Sequence, residues 1–213
     1  MQSTKPKLGY WKIRGLAQTI RYLLEYLKVD FEDVQYECGE APEFDRTCWT
    51  DVKPTLGLDF PNLPYYIDDE VKITETGAIW RYICAKHAPQ LLGSTPAQKA
   101  HVEMIMGVLS DWKGPMTMGS YRGIEKSELQ AIVDAKIPGV VAFLADKEYI
   151  CGELSIADFF LYEVVQQAEH VTDGAVYSAQ PKLAAHAERM KAHCTAPAAL
   201  PWNNKMAKIG NKV

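Results

Sequence analysis

Tyr10, in Leu8-Gly-Tyr-Trp-Lys-Ile-Arg-Gly15, closes an apolar run just ahead of a glycine turn. At that place in a strand-to-helix unit a side chain reaches the mouth of a sheet. Two readings stand: a half-buried strand tyrosine, and a phenol whose O–H donates to a ligand sulfur. The second has a chemical consequence, because the thiolate and not the thiol attacks electrophiles. A site that lowers a thiol pKa from about 8.5 by about two units supplies about 2.7 kcal/mol to the anion. Further along, Leu63-Pro64-Tyr65-Tyr66-Ile67 sets a proline, open to the cis form, at a strand start, where the backbone before it is free to pair with an extended peptide. Thr76 stands where it would cap the next helix, whose first-turn amides then form an anion seat. Strand edge and anion seat together suggest a small peptide ligand with a carboxylate. Arg46, Trp49 and Lys53 recur at three and four residues, which on one helical turn puts a guanidinium, an indole and an ammonium on one side. Beside an anion seat they make a cationic clamp; without one they are a solvated face anchored by a tryptophan.

The elements that must position these groups are legible in outline. Lys7 to Ile13 reads as a strand, and Leu16, Ile20, Leu23, Leu24 and Leu27 mark one face of a following helix. Phe31 to Tyr36 is a second strand, and a polar segment with one helical turn runs from Gly39 to Gly57. Tyr65–Ile67 and Val71–Ile73 form a hairpin around Asp68-Asp69-Glu70, followed by a helix with Ile79, Tyr82 and Ile83 on its buried face. The order β-α-β-loop-β-β-α fits a small mixed sheet with helices packed on it. Pro89, Gly93, Ser94 and Pro96 mark a linker, after which strand signals nearly vanish. Val102, Ile105, Met106 and Leu109 give one amphipathic helix, and Leu129, Ile132, Val133 and Ile137 another, which Pro138 either kinks or breaks. Ser155-Ile-Ala-Asp158 is a capping box opening a strongly apolar helix, and Leu183, Ala187 and Met190 suggest one more. The tail from Pro197 has no periodicity and is expected to wrap the surface. The expected division is residues 1–87, a linker at 88–96, and an all-helical domain over 97–213.

With a net charge of −4 and no basic block, the chain is a poor candidate for nucleic acid or an acidic membrane surface. No window approaches membrane-spanning length and the opening residues hold no apolar segment, so a cytoplasmic protein is expected. Five cysteines, never spaced as C-x-x-C, argue against both a disulfide framework and a zinc site. The five histidines also lack ligand spacing, and no metal is assigned.

Leu8 to Ala17, Ala41-Pro-Glu-Phe-Asp-Arg-Thr-Cys-Trp49 and Leu56-Gly-Leu-Asp-Phe-Pro-Asn-Leu-Pro-Tyr65 closely resemble the mu class of cytosolic glutathione S-transferases. The last is similar to that class's characteristic loop, Ser155–Asp158 resembles the family capping box, and Lys205-Met-Ala207 with Gly210-Asn-Lys212 resembles the mu C-terminus. The resemblance implies an α/β thioredoxin-like domain with a cis-proline plus an all-α domain. The implied activity is detoxifying conjugation of the glutathione thiolate to apolar electrophiles by a cytoplasmic homodimer, with glutathione as co-substrate and no cofactor. A non-catalytic carrier of apolar ligands and a glutathione-dependent isomerase are the alternatives.

Residue by residue, the resemblance makes Tyr10 the hydroxyl that stabilises the thiolate. It pairs the backbone of Leu63 with the cysteinyl unit, puts Trp49 and Lys53 at the glycine carboxylate end, counts Arg46 among the glutathione-binding residues, and has Trp11 and Asn62 line the site. Thr76 and the helix amides seat the γ-glutamyl carboxylate and Glu75 its ammonium, while Asp111 reaches the glutathione of a partner subunit. Leu16, Tyr121 and Asn203 line the electrophile pocket, with Tyr121 assisting additions and epoxide opening. Phe60 is implied to insert into a neighbouring subunit, and Arg81 and Glu103 to lie at the dimer interface. Four departures bear on the pocket and the glutathione seat. Glu75 replaces the usual Gln, Asn203 stands for an aromatic residue, Ile209 replaces a tail tryptophan, and Lys113-Gly114 differ from the usual helix lining. The pocket is therefore expected to be more polar or more open than the family pattern.

Overall fold

The computed structural model describes residues 4–196 and 200–208; Ile209 and the Gly210–Lys212 motif lie outside the described residues. Four strands, β1 (Lys7–Trp11), β2 (Glu32–Tyr36), β3 (Tyr65–Ile67) and β4 (Lys72–Thr74), form one sheet in the order β2-β1-β3-β4. β1 pairs with β2 in parallel and with β3 antiparallel, and β3 with β4 antiparallel. The parallel pair needs a crossover, which α1 (Gln18–Tyr26) supplies. Gly9, in the middle of β1, lies opposite Val34 and Tyr65. A side chain there would meet the Tyr65 ring, its Cβ falling 2.0 Å from Cε1.

β1 and β2 are shorter than their apolar patterns, β3 matches its own and β4 is displaced by one residue. Ile13 donates its N–H to the Trp11 carbonyl at 2.7 Å, which ends β1 in a turn. Glu70 and Val71 both donate to Asp68 Oδ1 at 2.9 Å, so Val71 belongs to the hairpin turn and β4 starts at Lys72. The polar segment folds into a four-residue helix, α2 (Thr47–Thr50), and a separate 3-10 turn (Lys53–Thr55). The next helix, α3 (Thr76–His87), buries Ile79 and Ile83.

Beyond a 3-10 turn at Pro89–Leu92 the described residues are helical or irregular: α4 (Pro96–Arg122), α5 (Lys126–Leu144), α6 (Ile156–Val171), α7 (Ala175–Ala179) and α8 (Pro181–Met190). α5 continues through Pro138 rather than breaking there. The short α7 has no sequence periodicity long enough to announce it. α6 is buried around nearly its whole circumference and is the axis of this half. Its Asp158 accepts from the backbone of Ile150 (2.7 Å) and Ser155 (2.9 Å), and from the Ser155 hydroxyl (2.9 Å), and lies 3.0 Å from His186 Nε2. One carboxylate thus ties the start of α6 to α8.

Aromatic contacts join the two halves: Tyr26 meets Phe159 edge-on at 5.2 Å, Tyr22 meets Tyr162 at 5.6 Å, and Trp80 lies against Phe160 at 4.9 Å. The protein is therefore a thioredoxin-like mixed sheet packed on an all-helical domain. No helix among the described residues is long and apolar enough to cross a membrane.

The tail differs from expectation. Instead of only wrapping the surface, residues 200–208 cross between the halves: the Pro201 carbonyl accepts from Arg14 N–H at 2.8 Å, and Lys208 donates to the Ser120 carbonyl at 3.1 Å. Asn203 is buried as a result.

Candidate active site

The turn after β1 is built around the Tyr10 ring. Gly15 has φ +45°, a left-handed conformation that costs glycine little, and a Cβ there would fall 2.7 Å from the Tyr10 hydroxyl. The turn carries the next amide over the phenol, and Leu16 N–H donates to Tyr10 Oη at 3.1 Å. Because Leu16 is spent in this way it lies ahead of α1 and is 47% exposed, not on the helix's buried face as its spacing suggests. Burial pushes the Tyr10 pKa up to about 12, against the lowering effect of the Leu16 amide. At neutral pH the group is a phenol, a hydrogen-bond donor and not a base.

Tyr10 opens into a cleft of about 500 Å³ between the two halves. Of the residues singled out from sequence, the cleft wall also holds Leu16, Thr76, Arg81, Glu103, Tyr121 and Asn203. Met106, Trp80 and Phe160 make much of the remainder apolar. Tyr121 is raised chiefly by burial and also stays protonated; its oxygen accepts from Asn204 N–H at 3.2 Å. Arg81 and Glu103 pair with each other across the cleft rim, Arg81 Nε to Glu103 Oε1 at 2.9 Å. Within one chain these two charges are thus mutually satisfied.

A second group lies on the sheet side of this cleft, outside its wall. Leu63 is buried and its bond to Pro64 is cis, as is that between Ala41 and Pro42. Trp49 is buried, stacked on Tyr65 at 6.1 Å and edge-on to Tyr36 at 5.3 Å. Arg46 and Lys53 are exposed, but not on one helical turn with Trp49: α2 is too short, Arg46 stands at its start and Lys53 opens the 3-10 turn. Trp11 lines a smaller cavity of about 170 Å³, shared with Tyr36, Cys38, Asn203 and Asn204.

Thr76 is not the cap of α3. It is the first helical residue, and Glu75 takes the capping position with φ 69° and ψ 114°, uncommon for a side-chain-bearing residue. Asn62 Nδ2 donates to Glu75 Oε1 at 3.4 Å, so a carboxylate stands beside the helix amides. Asp111 is on the exposed face of α4, away from the cleft wall, and Phe60 projects from its loop 80% exposed.

The spacing patterns missed a polar cluster behind the cleft. Arg14 donates to Glu163 Oε2 at 2.5 Å and to Tyr22 Oη at 2.7 Å, and its guanidinium lies 4.2 Å from the Trp202 ring. Lys113 reaches the same Glu163 at 3.9 Å. The one available signal was a lysine between the buried positions Trp112 and Met116 of α4. Among the described residues no His/Cys/Asp/Glu group could hold a metal ion.

A thioredoxin-like half bearing a protonated phenol, set across an apolar cleft from a helical half, is the architecture of glutathione-handling transferases. The family model for the glutathione S-transferase N-terminal domain matches residues 6–85, and that for the C-terminal domain matches 110–195. The chain is 38% identical over 218 residues to glutathione S-transferase Mu 3 of Homo sapiens, covering 96% of this chain and 95% of that one. It is 40% identical over 166 residues to a glutathione S-transferase of Tyrophagus putrescentiae, covering 76% and 74%. The crystal structure of the glutathione S-transferase Blo t 8 superposes with a TM-score of 0.83 at 25% identity, covering 96% and 99%. The chain belongs to the glutathione S-transferase family, and in sequence it is mu-like.

Proposed function

We propose that this protein is a glutathione transferase that joins the glutathione thiolate to apolar electrophiles, as a cytoplasmic homodimer and with no cofactor. The observation that carries the reading is the Tyr10 phenol, held by the Leu16 amide at the mouth of the cleft and kept protonated by burial. A donor already fixed in place stabilises the developing thiolate without reorganising, and the helical wall sets the electrophile in line with the sulfur. The sulfur–carbon bond forms as the electrophile's leaving group departs with its electron pair, or as its π bond or strained ring opens.

In this reading the backbone of Leu63 pairs with the cysteinyl unit. The exposed cations Arg46 and Lys53, with Trp49 between them, attract the glycine carboxylate. The α3 amides and Thr76 seat the γ-glutamyl carboxylate, and Glu75, next to Asn62, faces its ammonium. Trp11 lines the same site, Asp111 serves the partner's glutathione, and Tyr121 donates to the electrophile. Phe60 docks in the partner's helical domain, with Arg81 and Glu103 near that interface. Residues 1–87 and 97–213 act as the two domains, joined by 88–96.

Initial rates with glutathione and a chromogenic aryl halide, run beside calorimetric titration of glutathione alone, test the proposal. Turnover that saturates in glutathione is expected. Glutathione binding without turnover on several electrophile classes would transfer the chain to the carrier reading, and absence of both would remove the assignment of the site.

A further inference from the structure

Among the polar parts of the cleft wall is a stretch formed by α4 and backed by α6. Lys113 lines the cleft and is only 6% exposed. Its Nζ donates to Gln167 Oε1 at 2.8 Å, and the nearest carboxylate oxygen, of Glu163, is 3.9 Å away. That carboxylate is already matched by Arg14, which approaches it with Nη2 at 2.5 Å and Nε at 3.3 Å. Two buried cations therefore share one buried carboxylate, and the lysine is the surplus charge. Burial disfavours the ammonium and lowers its pKa; Glu163 opposes this and Arg14 adds to it. A buried charge without a full counter-ion is costly, so an anion arriving beside it is favoured.

Gln167 converts this surplus into a directed pair of donors. Lysine has only hydrogens to offer, so the Gln167 carbonyl must face it and the amide nitrogen must face the other way. That nitrogen donates to Thr117 Oγ1 at 3.0 Å. Thr117, which also lines the cleft, is thereby used as an acceptor, and its own hydrogen goes to no acceptor among the described residues. Two other hydroxyls of α4 behave differently: Ser110 donates to the Met106 carbonyl at 2.8 Å and Ser120 to that of Met116 at 3.1 Å. Lys113 and Thr117 are four apart on one helix face and both bond the Gln167 amide, which brings the ammonium to its oxygen and the hydroxyl to its nitrogen. The other cleft charges, Arg81 and Glu103, satisfy each other at the rim.

We infer that Lys113 and Thr117 form a carboxylate subsite in the electrophile cleft, selecting electrophiles that carry a carboxylate on an apolar body. The inference deepens the transferase reading and rests on it for the word electrophile. Lys113 and Thr117 each contact one carboxylate oxygen, Gln167 holds both donors in register, and Met106, Trp80 and Phe160 cover the apolar body.

The test compares a chlorodinitrobenzoate with its carboxamide, two electrophiles of nearly equal size that lose the same chloride when sulfur attacks the ring. A charge-assisted contact makes the ratio of kcat/KM, carboxylate over amide, about tenfold or more in favour of the carboxylate. Lys113→Met is expected to lower that ratio about tenfold, Thr117→Val about threefold, and Lys113→Arg to keep most of it. A lysine serving only to brace Glu163 would change thermal stability and leave the ratio alone. An equal ratio in the wild type and Lys113→Met, or a wild-type preference for the amide, overturns the inference. If Lys113→Met does not fold, Thr117→Val, close to isosteric, carries the same comparison. Calorimetric titration of the unreactive dinitrobenzoate and dinitrobenzamide reads the subsite without turnover. Absence of conjugation with a retained preference for the benzoate would sink the transferase reading alone, and conjugation of both compounds at equal efficiency would sink the subsite alone.

Discussion

The two walls of the cleft are made in different ways. On the sheet side the reactive group is placed by backbone: the Gly15 turn carries the Leu16 amide over Tyr10, and the Glu75 turn aims the first amides of α3. On the helical side the wall is made by side chains from distant parts of the chain, with Lys113 of α4 backed by Gln167 and Glu163 of α6 and Asn203 arriving from the tail. A backbone-made wall accepts few substitutions and presents one fixed geometry. A wall of side chains is re-specified by a single residue, so the sheet side suits an invariant co-substrate and the helical side a particular electrophile.

The contrast extends to how each half is pinned, and the largest expected effect on folding stability lies on the helical side. Asp158→Ala leaves the Ile150 and Ser155 amides and the Ser155 hydroxyl buried without their acceptor, and His186 without its partner. At about 1 to 3 kcal/mol for each unpaired group, with partial relaxation, a loss of about 3 to 5 kcal/mol is expected. It should appear as a fall of about 10 °C or more in thermal unfolding. A shift of a degree or two would mean that the α6 start is not the framework of this half.

Next comes the loop on the opposite side. Phe60 presents a bare ring, and burial of such a ring in a partner contributes about 2 to 3 kcal/mol, twice in a twofold dimer. In the proposed homodimer Phe60→Ser should therefore weaken association by about a thousandfold or more in sedimentation, and an unchanged tight dimer would count against the docking role.

A smaller effect is expected at the hairpin. Burial works against the Asp68 carboxylate, but Tyr82 and Lys86 and the amides of Glu70 and Val71 outweigh it and bring its pKa to about 2. A depressed folded-state value contributes stability that is complete above the unfolded pKa of about 4 and is lost as pH falls from there toward about 2. The contribution is on the order of 2 kcal/mol. Asp68→Asn should flatten the stability profile in that window and lower stability at neutral pH; an unchanged acid limb would show that the hairpin turn is held otherwise.

The same contrast explains what was legible in the sequence. Local signals carried the sheet half: the hairpin around Asp68, the strand start at Pro64 and the position of Tyr10 all depend on neighbours in the chain. They failed by one residue where a side chain competed for an amide, as Asp68 does for Val71, and where Glu75 rather than Thr76 took the start of α3. On the helical side the periodicities of α4, α5, α6 and α8 were readable because burial repeats along a helix. The Lys113–Gln167 contact spans 54 residues and the Tyr121–Asn204 contact 83, and no local pattern announces either. The departure at Lys113-Gly114 was visible, but its meaning required Glu163 to be already spent on Arg14.

The role proposed for the sheet wall is that Tyr10 donates to the glutathione sulfur, and the thiolate's ultraviolet absorbance in the glutathione complex, followed against pH, reads it directly. The bound thiol of the wild type should ionise at least one pH unit below free glutathione, and Tyr10→Phe should return it most of the way while glutathione still binds. Equal ionisation in the two proteins would contradict a thiolate held by Tyr10.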